Sequence, residues 1–401
     1  MSIAPPPACA GDARARSAGR SRPIGLTFVT NYVGVGGAET WLLNLFRHLD
    51  PAVVRPRVIC FKEPGPLGAE FAEAGIPVDV LGRGGRHDPS TPWRLWRSLR
   101  ASGTDVVLVH HLHEAPLFIS RLVARATGRR SIVSPHGMDT VPVAGRRCLP
   151  RHDVATLFLS DAILWLAPSQ ARYFREHEGV GRHWWSRTRE VIVPNGIPMP
   201  PAPDAAARAA ARSALGLADD DVAVGVLARL APVKAHEVLL EALAGLAPMR
   251  PRLRLVCIGG GEREQELRMR AAELGVAGRV RWLGLRRDVP RLLPGLDVGA
   301  LSSRFECAPL SLVELMAAAV PVVSTDVGCV RDLVGDGLDG FVVPPGDPAA
   351  LEAALAKLVD DPDLRASMGA TARERVARRF RIENTAAAVQ ELLTGLVRRR
   401  R

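Results

Sequence analysis

Two glutamates, Glu306 and Glu314, stand eight residues apart in the run Ser303-Arg-Phe-Glu-Cys-Ala-Pro-Leu-Ser-Leu-Val-Glu314. Pro309 suits the first position of a helix, where its missing N–H costs nothing. That spacing predicts Glu306 in a loop and Glu314 about one turn into the following helix. The amides around Ala308, Leu310 and Ser311 would form the helix start, which attracts anions through its free N–H groups and dipole. Glu314 would lie ~6 Å further along the axis. There it can accept two charge-assisted hydrogen bonds from a ribose diol. Glu306 is placed to hold the hydroxyls of a second sugar. The order hydroxyls, anion, hydroxyls is that of a sugar–diphosphate–nucleoside. Taken alone, the pair reads equally well as one loop acid and one exposed helix acid.

A second group of residues asks for the same anion. In Leu227-Ala-Arg229-Leu-Ala-Pro-Val-Lys234-Ala-His-Glu237, both cations fall at a strand-to-helix turn. A lysine at a helix start opposes the dipole, at a cost of a few tenths of a kcal/mol, unless an anion sits nearby. A diphosphate makes Arg229 useful as a planar fork and Lys234 as a point charge. The alternative is a solvated basic turn. Gly34-Val-Gly36-Gly37 follows a predicted strand and opens a helix, letting the backbone approach a ligand closely. A dinucleotide fingerprint would have a third glycine where Glu39 stands, so nicotinamide dinucleotide binding is weakened. His136, in Ser134-Pro-His-Gly-Met-Asp139, follows another strand and is placed to hydrogen-bond a sugar or a phosphate. A turn histidine with a structural bond is the other reading. His110, His111 and His113 also end a strand, but near-adjacent histidines rarely give metal geometry. Asp219-Asp-Asp221 precedes a strand rather than ending one and reads as a solvated loop. Gly259-Gly260-Gly261 is a turn after a strand, suited to close approach of a nucleotide.

The elements that position these residues alternate. Apolar runs at 24–30, 57–61, 78–81, 106–109, 132–134, 163–167 and 191–194 predict strands, most of them separated by helical patterns. The run Pro194-Asn-Gly-Ile-Pro198-Met-Pro-Pro-Ala-Pro203 reads as a hinge-like linker. The alternation then restarts, with strands at 222–227, 254–258, 280–283, 297–301, 320–324 and 340–343. Helices over 349–358, 363–380 and 383–397 close the chain. Strand–helix alternation implies parallel sheets covered by helices, with ligands outside the strands' carboxyl ends. The domain reading is a disordered basic tail over 1–22, a first domain over 23–197 and a linker over 198–205. A second domain over 206–378 and a final helix with basic tail over 379–401 complete it, the helix returning toward the first domain.

A chain of 401 residues is comfortable for two cores, and 47% apolar with 24% charged residues is ordinary for a globular protein. The net charge of +11 sits mostly in the tails. The first 22 residues hold four arginines and one aspartate, and the last four are all arginine, which leaves the body at +4. With no aromatic ladder for stacking on bases, nucleic acid is not an expected partner. The basic tails and the segment Trp93-Arg-Leu-Trp-Arg-Ser-Leu-Arg100 suit contact with an anionic membrane, or simply a solvated amphipathic helix. Six scattered cysteines without a Cys-x-x-Cys pair read as reduced thiols of a cytoplasmic protein. No apolar segment is long enough to span a bilayer.

The motifs, in their order along the chain, resemble glycosyltransferase family 4. They are Gly36-Gly-Ala-Glu39, Pro135-His-Gly137, Val193-Pro-Asn-Gly196, Arg229-x4-Lys234, Gly259-Gly-Gly261, Glu306-x7-Glu314 and Gly340-Phe-Val-Val-Pro-Pro-Gly346. The resemblance implies an α/β GT-B fold, two Rossmann-like parallel-sheet domains facing across an interdomain cleft. It implies a retaining transferase that moves a sugar from a nucleotide-sugar donor to a glycan or lipid-linked acceptor, with no cofactor and no metal. In that reading Arg229 and Lys234 neutralise the diphosphate, Glu314 holds the ribose, and Glu306 with the amides of Cys307, Ala308 and Leu310 orients the sugar. Gly260 lies beside the nucleotide, and His136 with Gly36 and Gly37 completes the site from the first domain. Attack on the donor is front-face, with the leaving phosphate taking the acceptor's proton. A sugar-nucleotide epimerase of the same fold and a catalytically silent nucleotide-sugar-binding module are the alternatives. The family pattern has glycine at the positions of Cys307, Ala235 and Cys329, and an acid at Pro198.

Overall fold

The structure, a computed structural model, describes residues 22–34, 36–85, 88–110, 115–137, 159–181 and 188–398. His111, His113, Met138, Asp139 and the basic tails other than Arg22 and Arg398 lie outside these residues. Contacts divide the chain into two units. One holds the described residues up to Pro198 together with Arg381 onward, and the other runs from Met199 to Phe380.

In the first unit the order is β1 (Ile24–Thr30), α1 (Gly37–His48), β2 (Val54–Cys60), α2 (Gly68–Glu73), β3 (Val78–Val80) and α3 (Thr91–Ala101). Then come β4 (Val106–Val109), α4 (Ala115–Ala126), β5 (Arg130–Val133), β6 (Ala162–Trp165), α5 (Pro168–Glu176) and β7 (Arg189–Ile192). The strands form one sheet in the order β3-β2-β1-β4-β5-β6-β7, with every pairing parallel. All residues of β4 and β6 are buried, as continuous apolar runs covered on both faces require.

The second unit begins with α6 (Ala205–Leu215), β8 (Val222–Leu227), α7 (His236–Leu246), β9 (Leu253–Ile258), α8 (Glu264–Glu273), β10 (Val280–Trp282) and α9 (Val289–Leu292). It continues with β11 (Val298–Leu301), α10 (Leu310–Ala317), β12 (Val322–Thr325), α11 (Val330–Leu333), β13 (Gly340–Val343), α12 (Pro348–Asp360) and α13 (Pro362–Arg379). Its parallel sheet runs β10-β9-β8-β11-β12-β13. The strand order reverses between β8 and β11, and that switch point is where such sheets bind ligands.

Local sequence sets the helix ends. Asp204, Asp347 and Asp361 each accept a hydrogen bond from a first-turn amide, at 2.7, 2.9 and 2.9 Å. Pro348 and Pro362 occupy the first helical position after two of these caps. The last helix, α14 (Ile382–Arg398), rejoins the first unit and packs on α1. Its buried Ile382, Val389, Leu392, Leu393 and Leu396 each contribute about 1.5–3 kcal/mol. The start of the Pro- and Gly-rich segment is not loose chain. Asn195 and Ile197 are buried, and Thr385 Oγ1 donates to the Pro194 carbonyl at 2.9 Å.

The helix that carries Glu314, α10, is seated on α13. At their crossing Gly369 stands so close that a Cβ there would lie 2.1 Å from the Ala319 carbonyl oxygen. Helix propensity alone favours alanine over glycine by about 1 kcal/mol, but the collision is with backbone and costs more. Gly369→Ala is therefore expected to destabilise the protein by roughly 1–3 kcal/mol, read as a lowered Tm. A raised Tm would contradict this packing.

Candidate functional site

The candidate site in the second unit is built at the carboxyl ends of β9, β8, β11 and β12, neighbours at the centre of the sheet. After β8 the chain makes a 3-10 turn, Pro232–Lys234, and then Ala235 adopts left-handed φ 46° and ψ 45° before α7 begins. For a residue with a Cβ that conformation costs about 1–2 kcal/mol. It allows the turn to close and the helix to start at once. After β11 comes the loop carrying Glu306. Lys234 Nζ donates to Glu306 Oε1 at 2.5 Å, across the switch point. Ser303 Oγ donates to the same oxygen at 2.7 Å. Ser302 Oγ bonds the Lys234 and Ala235 carbonyls, each at 3.0 Å, and the Arg304 amide donates to the Val233 carbonyl at 2.9 Å. From the end of β12, Thr325 Oγ1 donates to the Ser303 carbonyl at 2.6 Å. Glu306 is 8% exposed, so its charge is held by these partners rather than by water.

Arg229 lies on the same post-β8 segment. Its side chain is exposed and enters no ion pair among the described residues. The segment is fixed by bonds from the Leu230 amide to the Gly260 carbonyl at 3.0 Å and from the Arg263 amide to the Leu230 carbonyl at 3.2 Å. A Cβ on Gly259 would come within 2.1 Å of the Ala228 carbonyl oxygen and one on Gly261 within 2.4 Å of the Leu230 carbonyl oxygen, so these two glycines first serve loop packing. Gly260 keeps an open side, with the Leu285 amide nitrogen nearest at 3.7 Å.

On α10 the structure moves one residue. Pro309, with φ −66° and ψ 112°, is the N-cap, and the helix starts at Leu310. The ring fixes φ but leaves ψ extended, so Pro309 does not take the first helical position. Cys307, Ala308 and Leu310 are half-buried around that start, and the first helical amides have no intrahelical acceptor. Glu314, the fifth residue of α10, is half-buried with no hydrogen bond or ion pair to its carboxylate among the described residues. Burial pushes it up to about 7. A half-buried carboxyl with no partner among the described residues is open to hydroxyl donors.

The other sequence-derived residues belong to the first unit. Gly36 caps α1 in an extended conformation, and a Cβ there would lie 2.6 Å from Glu39 Oε2. The glutamate in place of a third glycine thus folds over the helix start. His136 is half-buried at the end of β5, its ring 4.3 Å from His110 and 5.0 Å from Trp41, with Nε2 3.3 Å from Ser134 Oγ. So Lys234 and Glu306 meet across two adjoining loops, Cys307 and Ala308 follow on the second of them, and Leu310 and Glu314 lie on α10, which continues it. Arg229 and Gly260 adjoin them through backbone bonds, and Gly36, Gly37 and His136 stand in a separate unit.

Two features escaped the sequence. Glu237 ties Arg263 (2.7 Å) to Arg304 (2.9 Å), bracing the loops after β9 and β11. His236, 2% exposed, has neither ring nitrogen bonded among the described residues, and burial holds it neutral by lowering it to about 4. An acid just inside a helix start was the available signal for the first, and nothing local signalled the second. Asp221 corrects the reading of a solvated aspartate run. It is 6% exposed, accepts from the Ala218 amide at 3.0 Å and lies 3.0 Å from Arg254, because it anchors the entry to β8.

Comparison with known proteins bears on the family and the fold. The family model "Glycosyltransferase Family 4" matches residues 35–199, and "Glycosyl transferases group 1" matches residues 207–375. A GDP-mannose-dependent alpha-(1-6)-phosphatidylinositol monomannoside mannosyltransferase of Mycolicibacterium smegmatis is 31% identical over 307 residues, 70% of this chain and 74% of that protein. The chain belongs to glycosyltransferase family 4. A D-inositol 3-phosphate glycosyltransferase of Streptomyces scabiei is 35% identical over 227 residues, 53% of this chain. This chain spans about half the length of that relative, 50%. Among solved structures, Anabaena Alr3699/HepE in complex with UDP aligns with TM-score 0.79 and 20% identity over 93% of this chain and 100% of that one. That likeness shows the GT-B fold.

Two predictions follow from the two cations and the buried acid. Arg229→Ala is expected to leave Tm unchanged while weakening nucleoside diphosphate binding about 10- to 100-fold in calorimetry. Lys234→Ala should weaken binding similarly and also lower stability by roughly 2–4 kcal/mol, because it strands buried Glu306. Unchanged affinity in both variants contradicts the site. For Glu314, a folded value of about 7 above the ordinary 4.5 means the folded state holds the proton more tightly. Its contribution to stability therefore falls as pH rises from about 4.5 to about 7 and is flat above. Ligand-free Glu314→Gln should be more stable than the parent at pH 8, by about 1–3 kcal/mol. That advantage should shrink toward pH 4.5. A difference in Tm that ignores pH contradicts the burial argument.

Proposed function

We propose that this chain is a retaining glycosyltransferase that moves a sugar from a nucleotide-diphosphate sugar to a glycan or lipid-linked acceptor. The single observation that carries the reading is the Lys234–Glu306 pair across the strand-order switch of the second unit. It is supported by the names of relatives that are mannosyl- and glycosyltransferases and by a fold neighbour that binds UDP. Arg229 and Lys234 neutralise the diphosphate, and the amides of Cys307, Ala308 and Leu310 at the start of α10 add to the positive potential. Glu314 accepts the ribose hydroxyls, Glu306 those of the transferred sugar, and Gly260 leaves room for the nucleotide. Gly36 and Gly37 are read as donor-binding residues, and His136 as a catalytic one that hydrogen-bonds the sugar or the phosphate.

Fixed dipoles and cations aimed at a leaving group stabilise charge as it develops. As the bond from the anomeric carbon to the diphosphate breaks, two electrons move to the phosphate oxygen, and Arg229 and Lys234 hold the growing charge. The acceptor oxygen bonds to the anomeric carbon on the same face, and its proton passes to the departing phosphate oxygen. No side chain acts as nucleophile, and no metal or cofactor is used.

The test is a panel of GDP-, UDP- and ADP-sugars, scored by rise in Tm and then by transfer to acceptor with and without EDTA. One donor is expected to raise Tm by mass action, and transfer with that donor should persist in EDTA. Interconversion of donors without acceptor would make the protein an epimerase. Binding without any reaction would make it a silent module. Loss of transfer in EDTA that magnesium restores would end the metal-free mechanism.

We propose further that this enzyme is cytoplasmic and peripheral at an anionic membrane. Among the described residues no helix is long and apolar enough to cross a membrane. On α3 and its neighbour α4, Trp93 is 55% exposed, and Phe118 and Leu122 are exposed as well. Arg97 lies over the Trp93 ring at 4.7 Å and Arg100 over Trp96 at 5.6 Å, and neither helix contains an acid. Apolar rings flanked by exposed arginines suit an anionic headgroup layer, at about 1 kcal/mol per arginine. Co-sedimentation should be stronger with anionic than neutral vesicles and fall in Trp93→Ala. Equal sedimentation with both contradicts the attachment.

A further inference from the structure

Two cysteines meet on adjoining loops of the second unit. Cys307 directly follows Glu306 and is half-buried, while Cys329 is the N-cap of α11 and 0% exposed. The Cys329 amide donates to the Cys307 carbonyl at 2.7 Å. Backbone spans of about 1.5 Å from N to Cα and 2.4 Å from O to Cα then hold the two Cα atoms within about 6.6 Å. That is inside the range disulfides bridge. Between them Gly328, with φ 57°, is folded so tightly that a Cβ would come within 2.3 Å of the Glu306 carbonyl oxygen and 2.6 Å of that of Cys307. Neither cysteine is in a disulfide in this structure. The remaining described cysteines are poorly placed to react. Burial pushes Cys60 up to about 12 and raises Cys257 as well, which keeps both protonated.

We propose that Cys307 and Cys329 are a peroxide-sensitive thiol pair that closes to a disulfide beside Glu306. Cys307, the less buried member, attacks hydrogen peroxide as the thiolate, giving a sulfenic acid and hydroxide, which takes up the proton that the thiol released. Cys329 then attacks the Cys307 sulfur, the S–S bond forms, and water leaves with the Cys329 proton. In sum two thiols and one peroxide give one disulfide and two waters. The bond staples the loop bearing Glu306 to the start of α11. Glu306 must let go of Lys234 to hold sugar hydroxyls, so a stapled loop impairs donor binding. This consequence rests on the glycosyltransfer reading, whereas the bond itself does not.

Full-length protein treated with hydrogen peroxide, then iodoacetamide and trypsin, provides the test. Trypsin cuts after Arg304 and Arg331, so one peptide contains both cysteines. In the untreated protein that peptide should carry two alkyl groups. After peroxide it should carry none and be lighter by two hydrogen atoms, and dithiothreitol should restore alkylation. In Cys329→Ala the same peptide should gain oxygen instead. Oxidised parent should bind its donor about tenfold more weakly, reversibly with dithiothreitol. Retention of both thiols after peroxide, or pairing of either with another cysteine, overturns the proposal. A disulfide with unchanged donor affinity overturns its effect on the site. The peptide result stands even if the reduced protein transfers no sugar, so the two readings fail separately.

Discussion

The ion pair between Lys234 and Glu306 joins the ends of β8 and β11, at the one place in the second sheet where the strand order turns back. The rest of the site hangs on it. The 3-10 turn, the left-handed Ala235 and the hydroxyls of Ser302 and Ser303 all serve to bring one ammonium against one carboxylate. With Glu306 nearly out of water, the pair is worth much only while both members are present. A ligand that supplies phosphate to the lysine and hydroxyls to the glutamate replaces each partner with one of the same kind, so the exchange does not strand a buried charge.

Several features around the pair are poor for stability and good for binding. Glu314 is half-buried with no partner to its carboxylate among the described residues, Arg229 enters no ion pair among them, and Ala235 holds a conformation better suited to glycine. Local rules broken together in one place are what a binding site is expected to show in an otherwise consistent fold. The bracing is conventional by contrast. Glu237 spans two arginines on neighbouring loops, and Gly369 lets α13 press against the end of α10.

Much of this was legible in sequence because parallel strands are short continuous apolar runs. The runs at 24–30, 106–109, 222–227 and 340–343 coincide with β1, β4, β8 and β13. Elsewhere the boundaries move by one to three residues. The run expected at 57–61 is a strand over Val54–Cys60, because β2 tolerates Pro56 where β3 does not reach and no bond to that side is needed. The pairing of Lys234 with Glu306 was not legible, since 72 residues separate them and only the fold makes them neighbours. Nor was the anchoring role of Asp221, which depends on Arg254 and on the approach to β8, or the packing of His136 against His110 and Trp41. Periodicity reports which face is buried, not which polar groups meet across a loop.

A crystal structure of the protein with a bound nucleoside diphosphate tests the central claim most directly. The diphosphate should lie within hydrogen-bonding distance, about 2.7–3.2 Å, of Arg229 and Lys234. The ribose hydroxyls should lie on Glu314, and Lys234 Nζ should have turned from Glu306 toward phosphate. A diphosphate bound away from the carboxyl ends of β8 and β11, with Lys234 still on Glu306, would contradict it.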